Sequence, residues 1–270
     1  MRMKNLFIKF IKSSRLRWVL ILAAVAAFVV WSGYTGFQEH QIYVYTDHLD
    51  EAAAWVDGDA ITLRDLSYYV LLEECIIEKE ARIYNPKSSK DYWNIRDDGY
   101  IMSAVVRRTI REMGVHDHIF YQKALEEGIE LTPEEEAYLE NEIQDFWMDL
   151  LDEQLERLPT DRETINEEIR RKALAEKYQA KLASEMGIAG VRLSWDGYDY
   201  KKLLMAEHQY KKNNKVWNRI RISEVTIHHD KVNFINGHNL GDDSSEDEEI
   251  KAIPDEENWI DRMNIRSMFE

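Results

Sequence analysis

Apolar side chains along this sequence form one uninterrupted run and, farther on, a series of helical stripes. Between Trp18 and Trp31, fourteen consecutive residues carry no polar side chain. Beyond residue 60, apolar residues recur every three or four positions, the spacing that places them on one face of a helix. This pattern predicts helices over about residues 62–84, 99–127, 132–158, 162–186 and 198–212.

Several residues mark where these helices begin and end. Thr132 precedes Pro133, and Glu135 follows three residues after the threonine, which is the pattern of a capped helix start. Gly128 stands where the second predicted helix ends, as glycine does at many helix C-termini. Gly114 lies inside that same helix, and we expect it to loosen the helix at this point.

Strand signals are few. Residues 53–56 and 60–62 flank an Asp57-Gly58 pair, which predicts a short strand and a tight turn because glycine accepts a positive φ. Apolar and polar residues also alternate from Val216 to Ile227, the strongest strand pattern in the chain. The sequence therefore predicts a mainly α-helical fold with a short two-stranded β element.

The N-terminal apolar run has the features of a membrane anchor. Residues 1–17 carry six basic and no acidic side chains, and residues 18–34 reach about the minimum length that spans a bilayer. Positive charge stays on the cytoplasmic side of a membrane. We therefore expect a single-pass cell-membrane protein with a cytoplasmic N-terminus and the bulk of the chain outside. Residues 35–52 are expected to be a polar tether.

Two interpretations of this segment stay open. One is an uncleaved transmembrane signal-anchor that holds the protein in the lipid bilayer. The other is a cleaved signal peptide, for which the small residues Ala24-Val25-Ala26 offer a cleavage site. The apolar run continues through Trp31, so cleavage there would leave an apolar new terminus. This continuity favours the anchor.

Charge and cysteine content exclude several classes of protein. The chain has 35 basic and 51 acidic residues, and residues 18–270 carry a net charge of −22. A body of that charge repels a phosphate backbone, so no nucleic-acid partner is expected. Cys75 is the single cysteine, which excludes an internal disulfide and favours a small core residue. Residues 237–270 are polar and acidic and are expected to be a largely disordered tail.

Three phrases stand in order along the body of the chain: WVDGDAIT at 55–62, KALEEGI at 123–129 and LTPEEE at 131–136. Together they resemble the N-terminal domain of SurA-type and PrsA-type chaperones, the extracytoplasmic foldases. The resemblance covers about residues 53–228. It implies a helical domain closed by its own ends, in which residues 216–227 return as a strand beside residues 53–56.

The resemblance also implies a function. Such domains hold unfolded or exported polypeptides, and many members of the family add a parvulin prolyl-isomerase domain. Too few residues follow Ile227 for that domain, so the isomerase residues are not carried over. Candidate peptide-binding residues are Trp93, in a polar connector, and Met148, which lies off the apolar stripe of its helix.

Other chemical groupings are weak. His228, His229 and His238 form the most metal-like cluster, but adjacent strand residues point to opposite faces, which favours an exposed polar strand end. His116 and His118 are expected at the surface. The sequence contains no nucleotide-binding or nucleophile motif. We therefore expect no enzyme activity, no cofactor and no bound metal.

These observations lead to three hypotheses. The first is a membrane-anchored extracytoplasmic holdase that binds unfolded or exported polypeptides and has no prolyl-isomerase activity. The alternative is a dedicated protein-interaction or scaffold module of a cell-envelope assembly. An enzyme that uses the histidine cluster is the weakest of the three.

Overall fold

A computed structural model of the chain describes residues 22–23, 25–31, 42–97 and 100–229. The chain divides into two compact units, Met1–Ile42 and Tyr43–Glu270. The second unit contains the sheet and helices described below.

The first unit is described only in part. Residues 22–23 and 25–31 are helical, and their side chains are exposed. Among the described residues, no helix combines the length and the apolar character needed to cross a membrane. The predicted segments 1–17 and 237–270 lie outside the described residues, as do residues 18–21, 24 and 32–34 of the predicted anchor and 35–41 of the predicted tether.

A three-stranded antiparallel sheet joins residues 52–62 to residues 210–212 within the second unit. Strands β1 (Ala52–Val56) and β2 (Asp59–Thr62) form a hairpin, and β5 (Tyr210–Lys212) pairs with the other edge of β1. Asp57 and Gly58 both have positive φ, at 53° and 99°, which confirms the predicted tight turn. A late segment of the helical domain therefore returns to pair with its first strand, and the sheet has three strands instead of the predicted two.

Residues 216–227 do not form the returning strand, so that prediction is wrong. The segment begins in a short helix, α8 (Asn214–Trp217), and continues as a loop. Ile220, Ile222 and Ile227 are nevertheless buried. Because β5 already occupies the free edge of β1, the alternating apolar residues enter the core from a loop instead of a strand.

Helices make up most of the described part of the second unit. They are α1 (Ser67–Tyr84), α2 (Ser89–Trp93), α3 (Met102–Glu126), α4 (Pro133–Asp149), α5 (Asp152–Glu156), α6 (Arg162–Met186), α7 (Met205–Glu207) and α8. Two further strands, β3 (Arg96–Asp97) and β4 (Tyr100–Ile101), pair with each other just before α3. The predicted start of α4 is confirmed, since Thr132 and Glu135 form a complete capping box.

The predicted helix over residues 198–212 is wrong in extent. The structure has a π-helical turn at Tyr200–Leu204, then α7, and then strand β5. Asp199, at the start of this region, is held by Arg192, whose Nη2 lies 3.0 Å from Asp199 Oδ1. Residues 210–212 are not helical because they form the third strand of the sheet.

Gly114 does not loosen α3, which is continuous from Met102 to Glu126. A Cβ at this position would collide with Cδ2 of Leu66 and would stand 3.6 Å from the ring of Tyr69. A larger residue at 114 would therefore have to displace the buried side chain of Leu66, the residue just before α1. The expectation of a loosened helix is corrected.

The core is centred on α3 and α6, which pack against each other, with α1 against both and α4 against α6. Phe120 of α3 contacts the rings of Tyr178 and Tyr200 at centroid distances of 5.6 and 5.9 Å. A large apolar side chain that is fully buried in this way contributes about 1.5–3 kcal/mol. Cys75 is buried in the same core, which confirms its predicted place.

Candidate functional site

A cavity of about 380 Å³ lies between β2 and the helices α1, α3 and α6. That volume is within the range of small-molecule sites in proteins. Polar side chains dominate its walls. The lining consists of Asp59, Ala60, Ile61, Asp65, Tyr69, Gly114, Asp117, His118, Tyr121, Gln122, Glu168, Arg171 and Lys172.

Asp117 is the centre of a buried hydrogen-bond network on one wall. Its Oδ2 accepts a hydrogen bond from the Tyr69 hydroxyl at 2.7 Å, and its Oδ1 lies 2.6 Å from Nδ1 of His116. Burial raises the pKa of Asp117, but the His116 hydrogen bond and charge, with Lys172, hold it below its ordinary value. The other His116 nitrogen faces the Leu193 carbonyl at 2.8 Å. His116 thus bridges the Asp117 carboxylate and the backbone of a distant turn.

Glu168 supplies a second buried carboxylate. Its Oε1 accepts from Nη1 of Arg171 at 2.8 Å, and the same Arg171 nitrogen lies 3.6 Å from Asp65. Burial raises the pKa of Glu168 to about 8, although Arg171 opposes the shift and Asp65, Glu167 and Asp117 add to it. This carboxyl therefore changes its ionisation in the neutral pH range.

Lys172 is a buried cation with its own partner. Its ammonium group donates to Glu176 four residues later on α6, and both side chains are largely buried. Burial alone lowers the pKa of Lys172, but the Glu176 carboxylate outweighs it and raises the pKa. Lys172 is therefore compensated by a residue that does not line the cavity.

The sequence analysis did not identify this cavity. Tyr69, Asp117 and Glu168 come from three different helices and are far apart in the chain. The sequence does contain a signal of this buried polar cluster. Glu168, Lys172 and Glu176 repeat every four residues, with the same spacing as the apolar residues of α6, so they follow one face of the helix. Charged residues on a buried helix face need partners.

Comparisons with family models, with curated proteins and with solved structures found no match to this chain. The resemblance to SurA-type and PrsA-type chaperones stays a prediction.

The two predicted peptide-binding residues have opposite environments. Trp93 has only 1% of its surface exposed, and its indole N–H donates to Oε2 of Glu78 at 3.0 Å. The prediction that Trp93 lines an exposed cradle is therefore corrected, because α2 packs the ring into the core. Met148 has 73% of its surface exposed near the end of α4, so its side chain is accessible to a partner.

The predicted histidine sites also differ from expectation. His116 is buried and bound to Asp117, so its predicted surface position is wrong. The His229 side chain is largely buried, with Nδ1 lying 3.3 Å from Oγ of Ser89. His238 lies outside the described residues. Within residues 42–97 and 100–229, no group of His, Cys, Asp and Glu side chains is arranged to hold a metal ion.

A second candidate surface follows the C-terminal end of α6. Four large apolar side chains are 40–65% exposed there, on α6, the 3₁₀ turn at Gly190–Leu193 and the segment before α7. These elements contact one another in sequence order. We call this the α6-end surface; its members are Met186, Val191, Tyr198 and Leu203.

Proposed function

We propose that this protein is a membrane-anchored extracytoplasmic holdase, which binds unfolded or exported polypeptides and does not isomerise prolyl bonds. The observation that carries the proposal is the α6-end surface. Soluble proteins scatter exposed apolar side chains singly, and a concentration of them on adjoining elements is typical of protein-interaction sites. Met186 and Tyr198 suit varied clients, because a thioether and an aromatic ring accept many apolar shapes.

Basic groups border this apolar surface. Lys202 lies over the ring of Tyr198, with Nζ 5.6 Å from the ring centroid, and Lys201 lies 6.0 Å from the ring centroid of Trp195. Aromatic rings bordered by solvated cations give both apolar contact and solubility. This arrangement supports binding of extended polypeptide segments without a deep pocket.

Three further features support the proposal. The pairing of β1 with β5 brings a late segment of the domain back to its first strand, although residues 210–212 supply it instead of the expected residues 216–227. Met148 provides a separate exposed thioether on α4. The basic residues 1–17 and the apolar residues 18–34 support anchoring in the lipid bilayer with the body outside the cytoplasm.

The alternative is a dedicated interaction module of a cell-envelope assembly, which would use the same surface for one fixed partner. The number of clients separates the two functions. A holdase binds many unrelated unfolded chains, whereas a scaffold module binds one folded partner at fixed stoichiometry.

The test uses the full chain reconstituted in lipid nanodiscs. Aggregation of several unrelated unfolded proteins is followed by light scattering, and prolyl isomerisation is followed on the same sample. The proposal expects stoichiometric suppression across clients with no acceleration of isomerisation. Failure to suppress the aggregation of any client would overturn it and favour the interaction module.

A further inference from the structure

We propose that Arg107 and Arg111 on α3 form a binding site for a phosphate monoester. A soluble phosphate ester and the headgroup of phosphatidic acid share this chemistry. The two arginines lie one helical turn apart, where α3 contacts α8. The site uses none of the residues of the α6-end surface, so the proposal does not depend on holdase activity.

The first support is the local charge. The whole chain has a net charge of −16, yet two of its segments carry basic and no acidic side chains. Residues 104–111 contain three arginines, and residues 210–221 contain five lysines and arginines. The two segments touch, because Nε1 of Trp217 donates to the backbone carbonyl of Arg107 at 3.0 Å. A cluster of bases in an otherwise acidic protein attracts anions to that place.

The two arginines lack the acidic partners that neighbouring bases have. Lys212, for example, pairs with Glu112 at 3.0 Å. Arg107 and Arg111 form no ion pair with any acid in the part of the chain that the structure describes. The positions three and four residues before and after each of them on α3 hold no acid either, although a helix places a neutralising partner there. Their charges are therefore left uncompensated.

Burial is the second support, because it makes an uncompensated charge costly. Only 7% of the Arg111 surface is exposed, and Arg107 is partly buried. In both side chains Nε is enclosed and has no hydrogen-bond partner among the described residues. Burial and the charge of Arg111 both lower the pKa of Arg107, so the two cations repel each other. Buried charges in proteins normally have a partner, and an anion is the partner that this pair lacks.

The two guanidinium groups have different parts in the site. Arg111 is held in place, because its Nη1 donates to Oδ1 of Asn214 at 3.2 Å. The Arg107 side chain makes no hydrogen bond to a described residue, and its terminal nitrogens are not enclosed. Asn214 and the next residue, Lys215, are exposed, so the site is open to solvent on the side of α8. A ligand therefore reaches the terminal nitrogens of Arg107, and Arg111 adds a fixed positive charge.

A phosphate monoester suits this pair better than a carboxylate does. A guanidinium group presents N–H donors in a planar fork that matches two phosphate oxygens. A phosphate monoester carries a charge of about −1.5 to −2 at pH 7, so one group neutralises both Arg107 and Arg111, whereas a carboxylate neutralises one. Lys215 forms no ion pair with a described acid, and its exposed ammonium group adds to the positive charge at the entrance.

The experiment is isothermal titration calorimetry on the full chain in phosphatidylcholine nanodiscs. The probe is glycerol 3-phosphate, and acetate at equal ionic strength controls for unspecific charge effects. Arg107→Gln removes the accessible guanidinium, and Arg107→Lys keeps the charge without the planar fork. Arg108→Gln is the matched control, because it makes the same charge change at the next residue, which is exposed and lies over the ring of Tyr100. The Arg107 side chain makes no hydrogen bond to a described residue, so its variants should fold.

We expect glycerol 3-phosphate to bind at least about tenfold more tightly than acetate. Its affinity should fall at least about tenfold in Arg107→Gln and several-fold in Arg107→Lys, and should stay within about twofold in Arg108→Gln. Glycerol 3-phosphate should also raise the Tm of the wild type and of Arg108→Gln but not that of Arg107→Gln. Equal binding of glycerol 3-phosphate and acetate, or equal losses in Arg107→Gln and Arg108→Gln, would overturn the proposal.

Hydrogen exchange at the amides of α8 identifies the source of the phosphate, in nanodiscs with and without added phosphatidic acid. If phosphatidic acid slows this exchange in the wild type and in Arg108→Gln but not in Arg107→Gln, the site takes a lipid headgroup. If only glycerol 3-phosphate slows it, the site takes a soluble phosphate ester. If neither ligand binds at millimolar concentration, the proposal fails, and the aggregation assay still decides the holdase function separately.

Discussion

The carboxylate of Glu74 on α1 accepts two hydrogen bonds from Thr226, one from the backbone N–H at 2.7 Å and one from the hydroxyl at 2.5 Å. The backbone N–H groups of Ser223 and Val225 donate to the other oxygen of Glu74, at 2.7 and 3.1 Å. One buried side chain thus holds the loop that was predicted to be a strand. Ser223 adopts a φ of 105° within it, a conformation that a surrounding structure must enforce.

Replacing Glu74 should therefore destabilise the protein strongly. Glu74→Ala leaves several buried N–H groups without acceptors, and we expect a loss of about 3–5 kcal/mol in the free energy of unfolding. Chemical denaturation measures this loss. Hydrogen exchange at the amides of Ser223, Val225 and Thr226 should quicken in the same variant.

The control for Glu74→Ala is Ile83→Ala on the same helix, whose side chain is 78% exposed. It should change the free energy of unfolding by less than about 0.5 kcal/mol. If Glu74→Ala costs no more than this control, the carboxylate does not hold the loop.

The stability of the protein should depend on pH through Glu168. Its folded-state pKa, about 8, lies above the ordinary value of 4.5, so the folded state binds the proton more tightly. The resulting stabilisation is present below pH 4.5 and is lost as pH rises toward 8. Between pH 5 and pH 8, the wild type should lose about 2–4 kcal/mol relative to Glu168→Gln, which does not titrate.

Urea unfolding at pH 5, 6.5 and 8 measures this difference. Glu167→Gln should follow the wild-type profile, because it leaves the buried carboxyl in place. Parallel pH profiles for the wild type and Glu168→Gln would show that burial does not raise the pKa of Glu168 as described.

Gly114→Ala should destabilise the protein although alanine is the better helix former. The added Cβ collides with Leu66, and overpacking of this kind costs about 1–3 kcal/mol. In a double-mutant cycle, the cost should shrink when Leu66→Ala makes room. Ala104→Gly, at an exposed position of the same helix, reports the helix-propensity effect alone, about 1 kcal/mol. An additive cycle would contradict the packing explanation.

Trp93→Phe should lower the free energy of unfolding without changing polypeptide binding. The variant removes the indole N–H that donates to Glu78, and losing a donor to a buried carboxylate costs about 1–3 kcal/mol. Because Trp93 is buried, binding of an unfolded polypeptide should stay within twofold of the wild type. A large loss of binding in a folded Trp93→Phe protein would show that the ring takes part in the client site.

Local signals let the sequence predict much of the helical framework. The capping box at Thr132 and Glu135 and the left-handed Gly187 that ends α6 depend on neighbouring residues, so they are visible in the sequence. The β5 pairing is not, because it joins Lys212 to Ala54 across almost the whole domain. Alternation over 216–227 correctly indicated burial but not strand pairing, since Glu74 supplies the hydrogen bonds that a sheet would otherwise provide.

The candidate sites were harder to predict for the same reason. Tyr69 and Asp117 meet through a contact between α1 and α3, and no local pattern encodes that contact. Trp93 appeared exposed because its sequence neighbours are polar, yet Glu78, fifteen residues earlier, binds its indole. His116 was misplaced because Leu193, which binds its Nε2, comes from a distant turn.

The most direct test of the proposed holdase function measures binding of a permanently unfolded polypeptide to the full chain in nanodiscs. Fluorescence anisotropy compares the wild type with a Val191→Ser/Tyr198→Ser double variant. Both positions are exposed, at 60% and 65%, so the variant should fold normally. Met148→Ser, on α4, is measured in parallel. We predict tight binding by the wild type and at least a tenfold loss in the double variant. Equal binding by the wild type and the double variant would contradict the role of the α6-end surface, and absence of binding by the wild type would contradict the function itself.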